Sequence, residues 1–192
     1  VFFSYDPDQV FTTKTKELLN NSVEKIEQLN HKKYKLTQKI RTNKEIAAFI
    51  TNLFNTNNIN NNMDYKNIHL QYFDSAKSLR YYLEQLKENS WEVIDYTSSS
   101  YYLLSIDKYS VGNRNAHHVI GQEFDKVAVV INERFYYNDS GQLLSTREAG
   151  APPYCMDKML YQMLTRARQE ITVVIYKNKD MLNACLKIMG LK

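Results

Sequence analysis

Apolar and polar positions switch period several times along the chain, and each switch marks an element. From Thr15 to about Asn30 the apolar residues Leu18, Leu19, Val23, Ile26 and Leu29 recur at intervals of three and four, the spacing of one helix face. Tyr34 to Ile40 reads as a short strand. Ile46, Ala47, Phe49, Ile50, Leu53 and Phe54 then form the apolar face of a second helix, with Thr42 or Asn43 as its cap. Ile68 to Phe73 alternates as a strand does, Asp74 or Ser75 caps a helix running to about Asn89, and Trp91 to Tyr96 gives another strand.

Two β-branched runs, Lys126–Ile131 and Ile171–Tyr176, lack alternation, the pattern of parallel strands buried on both faces. A last helix spans about Lys179 to Met189. Asn55 to Asn67 is an Asn-rich loop, Ser98 to Asn115 is irregular and polar, and Gly141, Gly150, Pro152 and Pro153 argue against regular structure between Asn138 and Pro153. Strands alternating with helices predict an α/β fold: a mostly parallel sheet with helices on both faces. Polar clusters at strand exits are then expected to converge at the carboxyl edge.

With 192 residues, 43% apolar and 24% charged, the chain can bury one core and form a soluble globular domain. The formal charge of +4 is compatible with a polyanionic partner without requiring one. Between Lys25 and Lys44, Lys25, Lys32, Lys33, Lys35, Lys39, Arg41 and Lys44 are opposed only by Glu27. A solvated helix face and an electrostatic footprint for nucleic acid both account for that run. Cys155 and Cys185 have neither metal spacing nor a disulfide framework, which fits a reducing, cytoplasmic setting. No apolar run approaches the roughly 20 residues of a membrane span, so no membrane partner is expected. The opening Val1–Tyr5 reads as a strand already under way, as in a piece of a longer polypeptide.

Candidate chemistry sits in two motifs: His117-His118-Val119-Ile120-Gly121-Gln122-Glu123-Phe124-Asp125 and Leu160 to Arg168. Arg166 and Arg168, two apart near the end of a predicted helix, point in different directions. A guanidinium suits charge developing on a phosphoryl oxygen, although a helix C-terminus also favours arginine through its dipole. Gly121 would let backbone approach a ligand closely, and Glu123 can accept from a ribose hydroxyl or simply cap a helix. Adjacent His117 and His118 lack a third ligand in spacing, so no metal site is assigned. Most of the 15 tyrosines suit core and edge packing, whereas Tyr101 and Tyr102, in a loop, remain open to base stacking.

Asp6-Pro7-Asp8-Gln9, Gln38-Lys39-Ile40-Arg41, His117 with Gly121-Gln122-Glu123-Phe124, and Leu164-Thr165-Arg166-Ala167-Arg168 follow one another in an order that resembles motifs III, IV, V and VI of superfamily 1 helicases. The resemblance spans nearly the whole chain and looks closest to compact bacterial helicase-like ATPases once filed as a domain of unknown function. It implies a RecA-like fold, with residues 1–33 as the motif III strand and linker helix of an upstream ATPase domain and residues 34–192 as the second motor domain. Gln9 would sense the γ-phosphate and orient water, and Asp6 would hold that loop. Arg41 and Arg166 would approach the γ-phosphate, Gly121 and Glu123 would meet the nucleotide, and His117 and Thr165 would touch nucleic acid. ATP and Mg2+ would be bound jointly with the upstream domain.

The departures carry information too. Ile120 stands where many relatives have Lys or Gln, Tyr5 replaces a glycine, and the segment between Arg41 and His117 is too short for a large accessory subdomain. Neither a Gly-x-x-x-x-Gly-Lys-Ser/Thr loop nor its magnesium-binding acid is in the sequence, so hydrolysis would need the upstream domain. A helicase or translocase motor is the first expectation. An ATP-gated switch or adaptor of a nuclease-linked or defence system that unwinds nothing is the second, and a plain nucleic-acid-binding module using Lys25 to Lys44 is the third.

Overall fold

The β-branched runs do become the interior of a sheet. The computed structural model describes residues 12–29, 32, 42–59, 63–151 and 153–191. The expected strand at Tyr34–Ile40 and the candidate residues Asp6, Gln9 and Arg41 lie outside them. The strands β1 (Ile68–Phe73), β2 (Glu92–Asp95), β3 (Arg114–Asn115), β4 (Phe124–Ile131) and β7 (Ala167–Tyr176) form one sheet in the order β1-β7-β4-β2-β3. Every pairing in it is parallel. The last five residues of β4 and the last six of β7 are all buried, because helices cover both faces of these central strands. β1 aligns Ile68 to Phe73 with Ile171 to Tyr176, and β4 aligns Val127 to Ile131 with Ile171 to Ile175.

The helices α1 (Thr13–Glu27), α2 (Lys44–Phe54), α3 (Ala76–Glu88), α4 (Met156–Leu164) and α5 (Lys179–Ile188) follow the apolar periods. Asn43 caps α2, its Oδ1 accepting from the Ile46 N–H at 2.8 Å while its Nδ2 donates to the Gln169 carbonyl at 3.0 Å, which ties the helix start to β7. The connection from β1 through α3 to β2 and that from β4 through α4 to β7 cross the sheet in opposite directions. Right-handed crossovers therefore place α3 and α4 on opposite faces. Phe54 of α2 meets Tyr161 of α4 edge to face at 5.2 Å, and α2 packs on α5, so these three helices share one face. A five-stranded parallel sheet flanked in this way is an α/β fold of the RecA-like type.

Three expectations need correction. Asn138 to Pro153 is not without regular structure, since β5 (Phe135–Tyr137) and β6 (Leu143–Ser145) form an antiparallel hairpin. The polar residues between them are its turn: Asn138 Oδ1 accepts from the N–H groups of Ser140 and Gln142, and Gly141 takes φ +68°. Phe135 and Leu143 supply its buried side. Second, the helix before β7 stops at Leu164, so Arg166 lies in a turn and Arg168 in β7. Third, the region from Ser98 to Asn115 holds a short 3-10 turn, Ser105–Lys108, and the edge strand β3.

Candidate functional site

The two motifs meet at the amino edge of the sheet. At the end of α4 the Thr165 N–H donates to the Tyr161 carbonyl and the Arg166 N–H to the Met163 carbonyl, tightening the last turn before the chain enters β7. Beside it, the Phe124 N–H at the head of β4 donates to the Arg166 carbonyl at 2.9 Å. Arg166 is 4% exposed. Its Nε donates to the Gln162 carbonyl at 3.2 Å, Nη1 to the Gln122 carbonyl at 3.3 Å, and Nη2 to Thr165 Oγ1 at 3.2 Å. The guanidinium thus clasps the end of α4 to the loop that enters β4.

That loop carries Gly121 and Glu123. Gly121 takes φ +78°, a left-handed conformation that disfavours a side chain, and no atom lies within 4 Å of where a Cβ would stand. Backbone there is bare and open to a ligand. Glu123 is exposed. Next to them Arg168 pairs with Asp125, Nε to Oδ1 at 2.9 Å, on an exposed surface where such pairs contribute little to stability.

Thr165 joins this group, and His117 does not. Thr165 caps α4, and its hydroxyl donates to the Gln162 carbonyl at 3.0 Å while accepting from Arg166. His117 lies at the other end of the turn that returns from β3. It contacts Thr97, just past the end of β2, and packs on the Tyr154 ring with centroids 5.5 Å apart. Burial, and then the neighbouring His118, hold the His117 pKa below the ordinary imidazole value. Gly121, Glu123, Thr165 and Arg166 therefore gather at the amino ends of β4 and β7 rather than at the expected carboxyl edge, and His117 stands apart.

Much of the carboxyl edge is taken up by the chain's own side chains, and a small cavity remains past the end of β2, lined by Tyr96, Thr97, Leu104, Arg147, Glu148 and Tyr154. Asn178 Nδ2 donates to the carbonyls of Asn132 and Phe135, both at 2.8 Å, and its Oδ1 accepts from the Met181 N–H. Asn132 Nδ2 donates to the Tyr109 hydroxyl at 3.0 Å, and the Tyr96 hydroxyl donates to the Val130 carbonyl at 2.7 Å. Burial pushes both phenols above their ordinary pKa, and it pushes the Cys185 thiol up to about 12, which leaves that sulfur unreactive.

Sequence reasoning missed Gln122 and Gln162, whose backbone carbonyls hold Arg166, because a carbonyl leaves no mark in side-chain type. It also missed Asp95 at the end of β2. Burial raises the Asp95 pKa, opposed by bonds from the Ser110 hydroxyl and the Gly112 N–H. Gly112 is fixed by that packing, since a Cβ there would lie 2.4 Å from the Val93 carbonyl oxygen. Among the described residues the buried Gln162 Nε2 has no hydrogen-bond acceptor, on the residue whose backbone carbonyl holds Arg166.

An open glycine backbone, an exposed carboxylate and a guanidinium that donates to two carbonyls and a hydroxyl are groups able to meet a nucleotide at this edge. Among the described residues no group of three or more His, Cys, Asp or Glu side chains is placed to hold a metal ion, and no helix is long and apolar enough to cross a membrane. The sheet and its flanking helices define the chain at the level of a RecA-like α/β fold. No family model matches it, and no curated protein does. Among solved structures it is similar to the C-terminal domain of a possible DNA helicase from Lactobacillus plantarum WCFS1, with 16% identity over 72% of this chain and 88% of that one and a TM-score of 0.37.

Proposed function

We propose that the chain is the second motor domain of a superfamily 1 helicase-type or translocase ATPase, working with an upstream domain that carries the phosphate-binding loop. The observation that carries this reading is the hydrogen-bonded junction of the two motif segments, Arg166 Nη1 to the Gln122 carbonyl at 3.3 Å and Phe124 N–H to the Arg166 carbonyl at 2.9 Å. Segments far apart in sequence thereby present one arginine and one carboxylate at a single edge. In this reading Arg166 exchanges its carbonyl contacts for γ-phosphate oxygens, Glu123 accepts from the ribose, and Gly121 lets backbone approach the nucleotide. Arg41, Gln9 and Asp6 complete the set as the sequence resemblance implies. ATP arrives with Mg2+, which shields the phosphate charge and would be held by the phosphates and the upstream domain.

Loss of the γ-phosphate removes the attraction on the arginines and lets the two domains part, the step that moves a nucleic-acid strand. That Cys155 and Cys185 are not joined in a disulfide accords with a cytoplasmic setting. The test is ATP hydrolysis by the full-length protein. Arg166→Ala and Arg166→Lys should each lower turnover, the former by about 10³-fold, the scale of a lost arginine finger. Glu123→Gln, on the surface, should raise the KM for ATP with little change in kcat. Wild-type turnover in a folded Arg166→Ala protein rejects the assignment.

One observation favours the switch reading. Ile120 is 42% exposed beside Gly121, an apolar side chain at a position where many members of the family place a polar one. Strand displacement by the full-length protein separates the two readings, because a switch hydrolyses ATP without unwinding.

A further inference from the structure

Large apolar side chains are exposed singly at Leu18, Leu29, Met63, Tyr81, Ile120, Tyr136 and Leu191, which is ordinary for a protein surface. Among the described residues only one run of them is exposed in sequence: Tyr101 at 90%, Tyr102 at 59% and Leu103 at 84%. The next residue, Leu104, is 5% exposed, so the loop leaving β2 has a buried root and a bare tip.

The tip is held out by hydrogen bonds on either side. Ser99 Oγ accepts from the N–H groups of Tyr101 and Tyr102, both at 3.2 Å, and Asp107 Oδ2 accepts from the Leu104 N–H at 2.7 Å. Ser105 donates its hydroxyl to Glu148 Oε2 at 2.8 Å, and Arg134 pairs with the same oxygen at 3.3 Å. Lys108, exposed, ends the 3-10 turn Ser105–Lys108 that follows the tip. The Tyr102 ring rests on Gly150, where a Cβ would come within 3.3 Å of its Cδ1. Arg147, three residues before Gly150, is exposed and donates to the Ala151 carbonyl. Asp107 and Glu148 are thus engaged in pinning the loop, while Lys108 in the turn after the tip and Arg147 near Gly150 are exposed, as are the two aromatic rings.

We propose that this tip is a single-stranded nucleic-acid contact, with bases stacking on Tyr101 and Tyr102, Leu103 packing against a base or sugar, and phosphates facing Lys108 and Arg147. Stacking asks only for an exposed aromatic face, and flanking cations supply the backbone attraction. An ordered loop also binds without the entropic loss of ordering a flexible one. The surface adjoins the carboxyl end of β2, near His117 and away from Arg166, and the assignment does not depend on the reading of the amino edge.

The experiment is fluorescence anisotropy of a labelled 15-nucleotide oligo-dT, and its oligo-U counterpart, titrated with the chain at several salt concentrations. Wild-type binding should weaken steeply with salt, and Tyr101→Ala and Tyr102→Ala should each lower affinity about 5- to 100-fold, the range of one lost base stack. Tyr101→Phe should bind as wild type does, and Lys108→Ala with Arg147→Ala should flatten the salt dependence. All these changes are on the surface, and unchanged circular dichroism and Tm confirm the fold. Oligonucleotide affinity unaffected by Tyr101→Ala/Tyr102→Ala, or no binding by the wild type at low salt, overturns the proposal and leaves the tip to a protein groove. ATP turnover of the full-length protein reports on Arg166 separately, so the two assignments can fail independently.

Discussion

The two ends of the parallel sheet are built differently. At the carboxyl edge, Asn132, Asn178, Tyr96 and Tyr109 are buried and hydrogen-bonded, and the β5–β6 hairpin follows directly from β4. At the amino edge, a glycine with positive φ, an exposed glutamate and an exposed Arg168–Asp125 pair surround one buried arginine. Open α/β sheets commonly bind ligands in the crevice at the carboxyl ends of their strands. Here buried side chains take up much of that crevice and leave a small cavity beside Tyr96 and Thr97, while the motif residues Gly121, Glu123 and Arg166 stand at the other end. Which edge of a sheet is available depends on what the connections do after each strand, and strand order alone does not decide it.

Substitutions at the two edges should separate stability from function. The largest effect on folding is expected for Asn178→Ala, which removes two bonds to buried carbonyls and the cap of α5, at about 2–4 kcal/mol, whereas Arg168→Ala should cost less than about 1 kcal/mol. Urea denaturation of both variants measures the contrast. Equal losses would mean that the edges are not distinct in this way. Gly121→Ala comes next, at about 1–2 kcal/mol, because the added methyl meets no neighbour and only the left-handed backbone is strained. If the loss is well under that range, the loop has relaxed out of its positive φ.

The smallest effect concerns pH. Since the folded-state pKa of His117 is lowered, the folded protein binds fewer protons than the unfolded chain just below the ordinary imidazole value. The stability contributed by neutral His117 is complete above about pH 6.5 and is lost as pH falls through that window. Tm of the wild type should therefore decline more on acidification than Tm of His117→Asn. A steeper decline in the variant would reverse the sign and place a stabilising charge on the imidazole.

Elements whose burial follows their own residue pattern were legible from sequence. Ile68–Phe73 fits its strand residue for residue, and Asn43 and Ser75 cap their helices as expected. The continuous apolar runs at β4 and β7 identified central parallel strands. The hairpin was missed because its strands are only three residues each and its turn is rich in the same residues that fill irregular loops. At the candidate site, Gly121, Glu123 and Arg166 could be named as a group from motif order, but their edge could not. It depends on where α4 terminates, and Thr165 ends it one residue before Arg166, a boundary that helical periodicity alone does not resolve. The carbonyls of Gln122 and Gln162 were invisible because every residue carries the same backbone carbonyl.

The clasp on Arg166 makes this cation a discriminating one in the proposed reading. A guanidinium that donates to two carbonyls and a hydroxyl gains from leaving them only if the newcomer offers denser negative charge, as a terminal phosphate does. Nucleosides and weak anions would leave it in place. The bonds that keep the end of α4 in register with β4 at rest thereby set the threshold below which a bound molecule goes unanswered.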